Sequence, residues 1–152
     1  MSVPVYRRKE SRTDYLNLIF DLNIKIGEIV GNAPSKYLHS YGDHLIRAGC
    51  EAMKYAQMAN RVYMSKNTKP DDYKLRRDCL LRVRGIIDNI STISCIYLEL
   101  SLKSKIKKVD IYKRQQAMGT MCSTIIQKIN GVMSYDNRIM NQHNIKTNDD
   151  YK

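Results

Sequence analysis

Apolar residues recur along most of this 152-residue chain at alternating spacings of three and four. The first series is Tyr15, Ile19, Leu22, Ile26 and Ile29. Between 38 and 62 it is Leu38, Tyr41, Leu45, Ala48, Ala52, Tyr55, Ala59 and Val62. A third runs through Cys79, Val83, Ile86, Ile90, Ile93, Tyr97 and Leu100. The fourth, Ile111, Gln115, Met118, Cys122, Ile125, Ile129 and Val132, is broken only by Gln115. A turn of 3.6 residues places each series on one face of a helix. No segment of comparable length alternates with period 2, so strands are not expected.

The breaks between series agree with this reading. Ser11, with Asp14 three residues on, makes a capping-box-like start for the first helix. "GNAPS" (31–35) ends that helix: Pro34 blocks continuation, and Ser35 is placed to cap the second. In "SKNTKPDD" (65–72), Thr68 suits a cap, Pro70 a first turn, and Asp71 and Asp72 the positive helix end. "LKSKIKK" (102–108) makes the third connection. Short connections between long helices predict an all-α fold, an antiparallel up-down-up-down four-helix bundle over residues 1–135. Residues 136–152 are polar and aperiodic and read as a disordered C-terminal tail. An alanine seam on the second helix (Ala48, Ala52, Ala56, Ala59) and apolar residues off the main stripes (Ile46, Met53, Ile87, Ile126, Met133) predict a homo-oligomer, although a wide core stripe would absorb the same residues.

Charge adds a second layer. The net charge is +11, and residues 103–152 hold ten of the 26 cations but only four of the 15 acids. That basic third begins with "KSKIKKVDIYKR" (103–114), six cations around the single acid Asp110. Like charge raises the energy of a compact state, so solvation or an anionic partner must offset it. In an antiparallel bundle, Arg7, Arg8, Lys9, Arg76 and Arg77 would gather at one end, and Lys103, Lys105, Lys107 and Lys108 at the other. Together with Lys113 and Arg114 they are the candidate nucleic-acid-binding residues, as contacts to phosphate need only charge and reach. Tyr6, Tyr73 and Tyr112 lie beside cations and are candidates for stacking on bases.

Catalytic patterns are not evident. His39 and His44 are five residues apart and do not share a helix face, and His143 falls in the tail. There is no E-x-x-H, P-loop or G-x-G-x-x-G, and "SKIK" (104–107) is a chance match to S-x-x-K in a basic turn. Cys50, Cys79, Cys95 and Cys122 are far apart, with no zinc-ligand spacing, and read as reduced thiols of a cytoplasmic protein. No run of about 18 apolar residues suggests a transmembrane helix, and the N-terminus has no secretory h-region. The expectation is a non-enzyme with no metal and no cofactor.

Three short motifs carry a family resemblance: the opening "MSVPVYRRKES", Ala59, Asn60 and Tyr63 at the end of the second helix, and "LRRDCLL" opening the third. The chain over roughly 1–135 resembles bacterial four-helix-bundle proteins related to those encoded in ribosomal RNA intervening sequences. That group includes the accessory variability determinant of diversity-generating retroelements. The resemblance implies a basic, non-catalytic protein that forms a ring-shaped homo-oligomer, such as a pentamer. It also implies binding to a reverse transcriptase and to RNA or cDNA. The alternative is a protein–protein adaptor, for instance a phage- or plasmid-encoded modulator, whose charge matches an acidic surface of a host complex.

Overall fold

The computed structural model describes residues 14–32, 35–102 and 108–149. Four helices hold nearly all of them: α1 (Asp14–Gly31), α2 (Asp43–Arg61), α3 (Pro70–Leu102) and α4 (Lys108–Asp149). There is no strand among the described residues. The fold is an all-α four-helix bundle in which α1 packs on α2 and α4, and α3 packs on the same two helices.

Contacts between consecutive helices run in opposite directions. The Tyr15 hydroxyl on α1 lies 3.5 Å from the Ala56 carbonyl on α2, and the Asn23 amide lies 3.0 Å from the Gly49 carbonyl. Between α2 and α3, Arg82 donates to the Tyr55 hydroxyl at 2.8 Å, and Arg76 to the Ala59 carbonyl at 2.8 Å. Between α3 and α4, Arg76 meets Asp136, Arg84 meets Asn130, and Gln115 meets Cys95 and Glu99. Position numbers rise along one helix as they fall along its neighbour.

The apolar stripes build the core. All five residues of the first series are buried, as are Met118, Cys122, Ile125, Ile129 and Val132 of the fourth. Burying a side chain of this size contributes about 1.5–3 kcal/mol, so these stripes dominate the stability of the bundle. On α2 the small residues are what matters. Ala52, Ala56 and Ala59 are fully buried, and Tyr15 fills the space they leave. A Cβ on Gly49 would collide with the Asn23 side chain, so the close crossing of α1 and α2 favours a glycine there. The alanine seam expected to face another subunit therefore faces the bundle interior. Of the off-stripe apolar residues, Ile87 and Met133 are buried, and Met53 and Ile126 pack partly buried against the core. Only Ile46 is exposed.

Four other expectations change. The approach to α2 is irregular: a 3-10 turn (Ser35–Tyr37) and a π-helical turn (Leu38–Gly42) precede the regular helix, so Leu38 and Tyr41 belong to the lead-in. Thr68 does not cap α3. Its Oγ1 accepts from the Ser65 N–H at 2.8 Å and donates to the Tyr63 carbonyl at 3.2 Å, closing the connecting loop. The inner face of α3 is wider than the predicted series, of which Cys79, Val83, Ile90 and Tyr97 are buried as spaced. Leu80, Ile87, Ser94 and Leu98 are buried, whereas Ile86 and Ile93 are only partly so. Finally, α4 does not stop at 135. It continues to Asp149, and Asp136 and Met140 are buried. The segment read as a tail is therefore helical to Asp149, and its first residues, 136–140, pack in the bundle.

Candidate nucleic-acid interface

The candidate cations separate into several kinds. Arg7, Arg8, Lys9, Lys103, Lys105 and Lys107 lie outside the described residues, as does Tyr6. Lys108 is the first residue of α4. Lys113, five residues later, is exposed, and Arg114 is half-buried beside it, about 100° around the helix axis.

Arg76 is removed from the set. It is 6% exposed, and its Nε donates to Asp136 Oδ2 at 2.6 Å. Its Nη1 donates to the Ala59 carbonyl at 2.8 Å and the Val62 carbonyl at 3.1 Å. One guanidinium thus satisfies carbonyls at the end of α2 and joins α3 to α4. A buried arginine with this many partners is not available to a phosphate. Asp136 is 3% exposed, and its Oδ1 has no hydrogen-bond partner among the described residues.

Arg77 is half-buried next to this staple. Its Nη1 donates to Asn137 Oδ1 at 3.1 Å and to the Tyr73 hydroxyl at 3.3 Å. Tyr73 itself donates to Asn137, so this tyrosine ties α3 to α4. Tyr112 is exposed. Arg84 donates to Asn130 Oδ1 at 3.3 Å, and Arg82 is held on Tyr55, 5.1 Å from the ring centre. Arg77 is level with Asn137 on α4, about 36 Å from Lys113 at 1.5 Å per residue. Two cationic regions therefore stand apart along the bundle, but their membership differs from expectation. Arg138, exposed on α4, belongs with Arg77, and Arg84 lies between the two regions. Arg84 belongs to the basic run "KLRRDCLLRVR" that opens α3, whereas Arg138 is isolated in its helical pattern and resembles ordinary solvated charge.

The charge is distributed unevenly among the helices. Between 14 and 100, twelve cations are balanced by ten acids. Between 111 and 142, four cations (Lys113, Arg114, Lys128, Arg138) accompany the single acid Asp136, which is buried against Arg76. That stretch of α4 exposes no acid.

Groups with shifted protonation are internal. Burial pushes the Cys122 thiol up to about 11, with Asp88 and Cys95 adding to the effect. Burial also raises Cys79 and Tyr97, and it raises Tyr15 against the opposing pull of Arg76. Each favours the neutral form, which suits packing. Among the described residues no three His, Cys, Asp or Glu side chains are grouped to hold a metal ion. No helix among them is long and apolar enough to cross a membrane. Comparison with protein-family models, with curated proteins and with solved structures found no match to this chain.

Proposed function

We propose that this protein is a non-catalytic, cytoplasmic nucleic-acid-binding accessory protein that works with a reverse transcriptase. The observation that carries the reading is the charge of α4, four cations and no exposed acid between 111 and 142. The basic bend at 103–108 leads directly into that helix. A surface of this kind neutralises phosphates without reading sequence, and releases their counterions. The reverse transcriptase as partner and the ring-shaped homo-oligomer rest on the family resemblance. Self-assembly has separate support on α1, where Phe20 and Ile24 stand one turn apart, 59% and 51% exposed.

Salt dependence tests the reading. Each phosphate neutralised contributes about 0.7–0.9 to the slope of log affinity against log salt. Replacing Lys105, Lys107 and Lys108 by Gln should weaken binding to every sequence alike and flatten the slope by roughly 2 to 3. If affinity and slope both survive, the bend is a solvated turn, and the adaptor with an acidic protein partner takes its place.

A further inference from the structure

The outer face of α4 carries a second pattern, made of uncharged polar residues. Gln116, Thr120, Ser123, Gln127, Asn130 and Ser134 follow one another at 4-3-4-3-4 spacing, and two asparagines carry the series on to 141. Every member is exposed. The series spans about 38 Å of helix and contains no charge and no apolar side chain. Gln116, Ser123 and Gln127 make no side-chain hydrogen bond to any described residue. Exposed Lys113 precedes the series and exposed Arg138 lies between its last two asparagines, and Arg77 and Arg84 reach its α3 side through Asn137 and Asn130. Gly131 sits on the same outer surface with open space where a Cβ would be, so the fold itself does not require a glycine there.

We propose that this face binds an A-form RNA duplex, with its shallow minor groove laid along α4. The inference rests on the nucleic-acid reading above and adds the class of nucleic acid and the surface that selects it. Amide and hydroxyl side chains offer donors and acceptors together. Phosphates accept only, so a B-form DNA backbone would leave the side-chain carbonyls without donors. A ribose 2′-hydroxyl both donates and accepts, and the wide, shallow minor groove of A-form RNA displays a row of them. Arg77 and Arg84 are placed for the phosphates along the α3 side of such a groove, and Lys113 and Arg138 for those near its two ends. A single strand is a poorer fit, because stacking needs aromatic platforms and the series has none. A second copy of this helix fits poorly too. It would bring like charges together and bury no apolar surface.

The test uses the full chain, an RNA duplex longer than the series and a DNA duplex of the same sequence, with affinity read by fluorescence anisotropy over a range of salt. Wild type should bind the RNA duplex about tenfold tighter than the DNA, the worth of a few additional hydrogen bonds. The triple change Gln116→Ala, Ser123→Ala and Gln127→Ala should lose about that tenfold on RNA and little on DNA. Its salt slope should not change, because no charge is removed. Alanine is the best helix former, so the melting curve should hold. Equal binding of both duplexes by wild type, with no effect of the triple change, would overturn this inference and leave the nucleic-acid reading standing. Failure of wild type to bind either duplex would sink both. A changed mass by light scattering with unchanged RNA affinity would assign the face to contacts between copies and overturn the inference as well.

Discussion

Helices α2 and α4 each carry a long series at spacings of three and four that contains almost no bulky apolar residue, and they use it in opposite ways. On α2 the series is small: Gly49, Ala52, Ala56 and Ala59, all buried. It lets α1 approach until Tyr15 and Asn23 touch the α2 backbone. On α4 the series is amide and hydroxyl, and every member faces outward. Spacing defines a face of a helix but not its direction. Alanine tolerates desolvation and gains from close packing, whereas an exposed glutamine or serine loses its water only to another polar partner. Small residues mark where the chain meets itself, and the uncharged polar series stays at the surface.

The largest effect expected concerns the one acid that α4 turns inward in this stretch. Asp136→Ala should destabilise the protein by about 3–5 kcal/mol, because Arg76 would remain buried without its carboxylate. A urea titration measures this. A change below 1 kcal/mol would return Arg76 to the surface and blur the division between the inner and outer faces of α4.

A pair of glycines sharpens the contrast directly. Gly49→Ala should cost about 1–3 kcal/mol, as for other overpacked core sites. The new Cβ would collide with Asn23, and moving that side chain breaks its bonds to the Ile19 and Gly49 carbonyls. Gly131→Ala should instead stabilise by about 0.5–1 kcal/mol, because the site is open and alanine is the better helix former. Opposite signs in thermal melts support the assignment of faces, and equal signs would break it.

Smaller still is the difference among the thiols. Cys50 on α2 and Cys95 on α3 are exposed, whereas Cys79 and Cys122 are buried. Two of the four should react quickly with a maleimide and two only on unfolding. Cys122 is held neutral up to about 11, above its ordinary value of 9.0. Its contribution to stability is therefore fully present below pH 9 and is lost as the pH rises through about 11. Rapid labelling of Cys122 near neutral pH would contradict the burial of the α4 inner face.

Much of the fold was legible because its core is made locally. Each residue of the first series is buried as its spacing predicts, and so are five of the fourth. What was not legible depended on distant partners. The inner line of α3 includes Arg76 and Ser94, both polar, and a reading that follows only apolar residues steps onto Ile86 and Ile93 instead. Asp136 looked like part of a polar tail because the arginine that makes it internal lies 60 residues earlier in the chain. The same burial took Arg76 out of the candidate site. Apolar periodicity is also blind to the outer series of α4, whose regularity is written entirely in polar residues.

The central claim is that nucleic acid lies along the outer face of α4. Titrating the isotopically labelled protein with an RNA duplex and following its amide resonances tests it most directly. The side-chain amides of Gln116, Gln127 and Asn130 and the outward backbone of α4 should shift, while the outer face of α2 around Arg47, Lys54 and Arg61, which also bears exposed cations, should stay still. Shifts centred on α2, or spread evenly over every exposed cation, would contradict it.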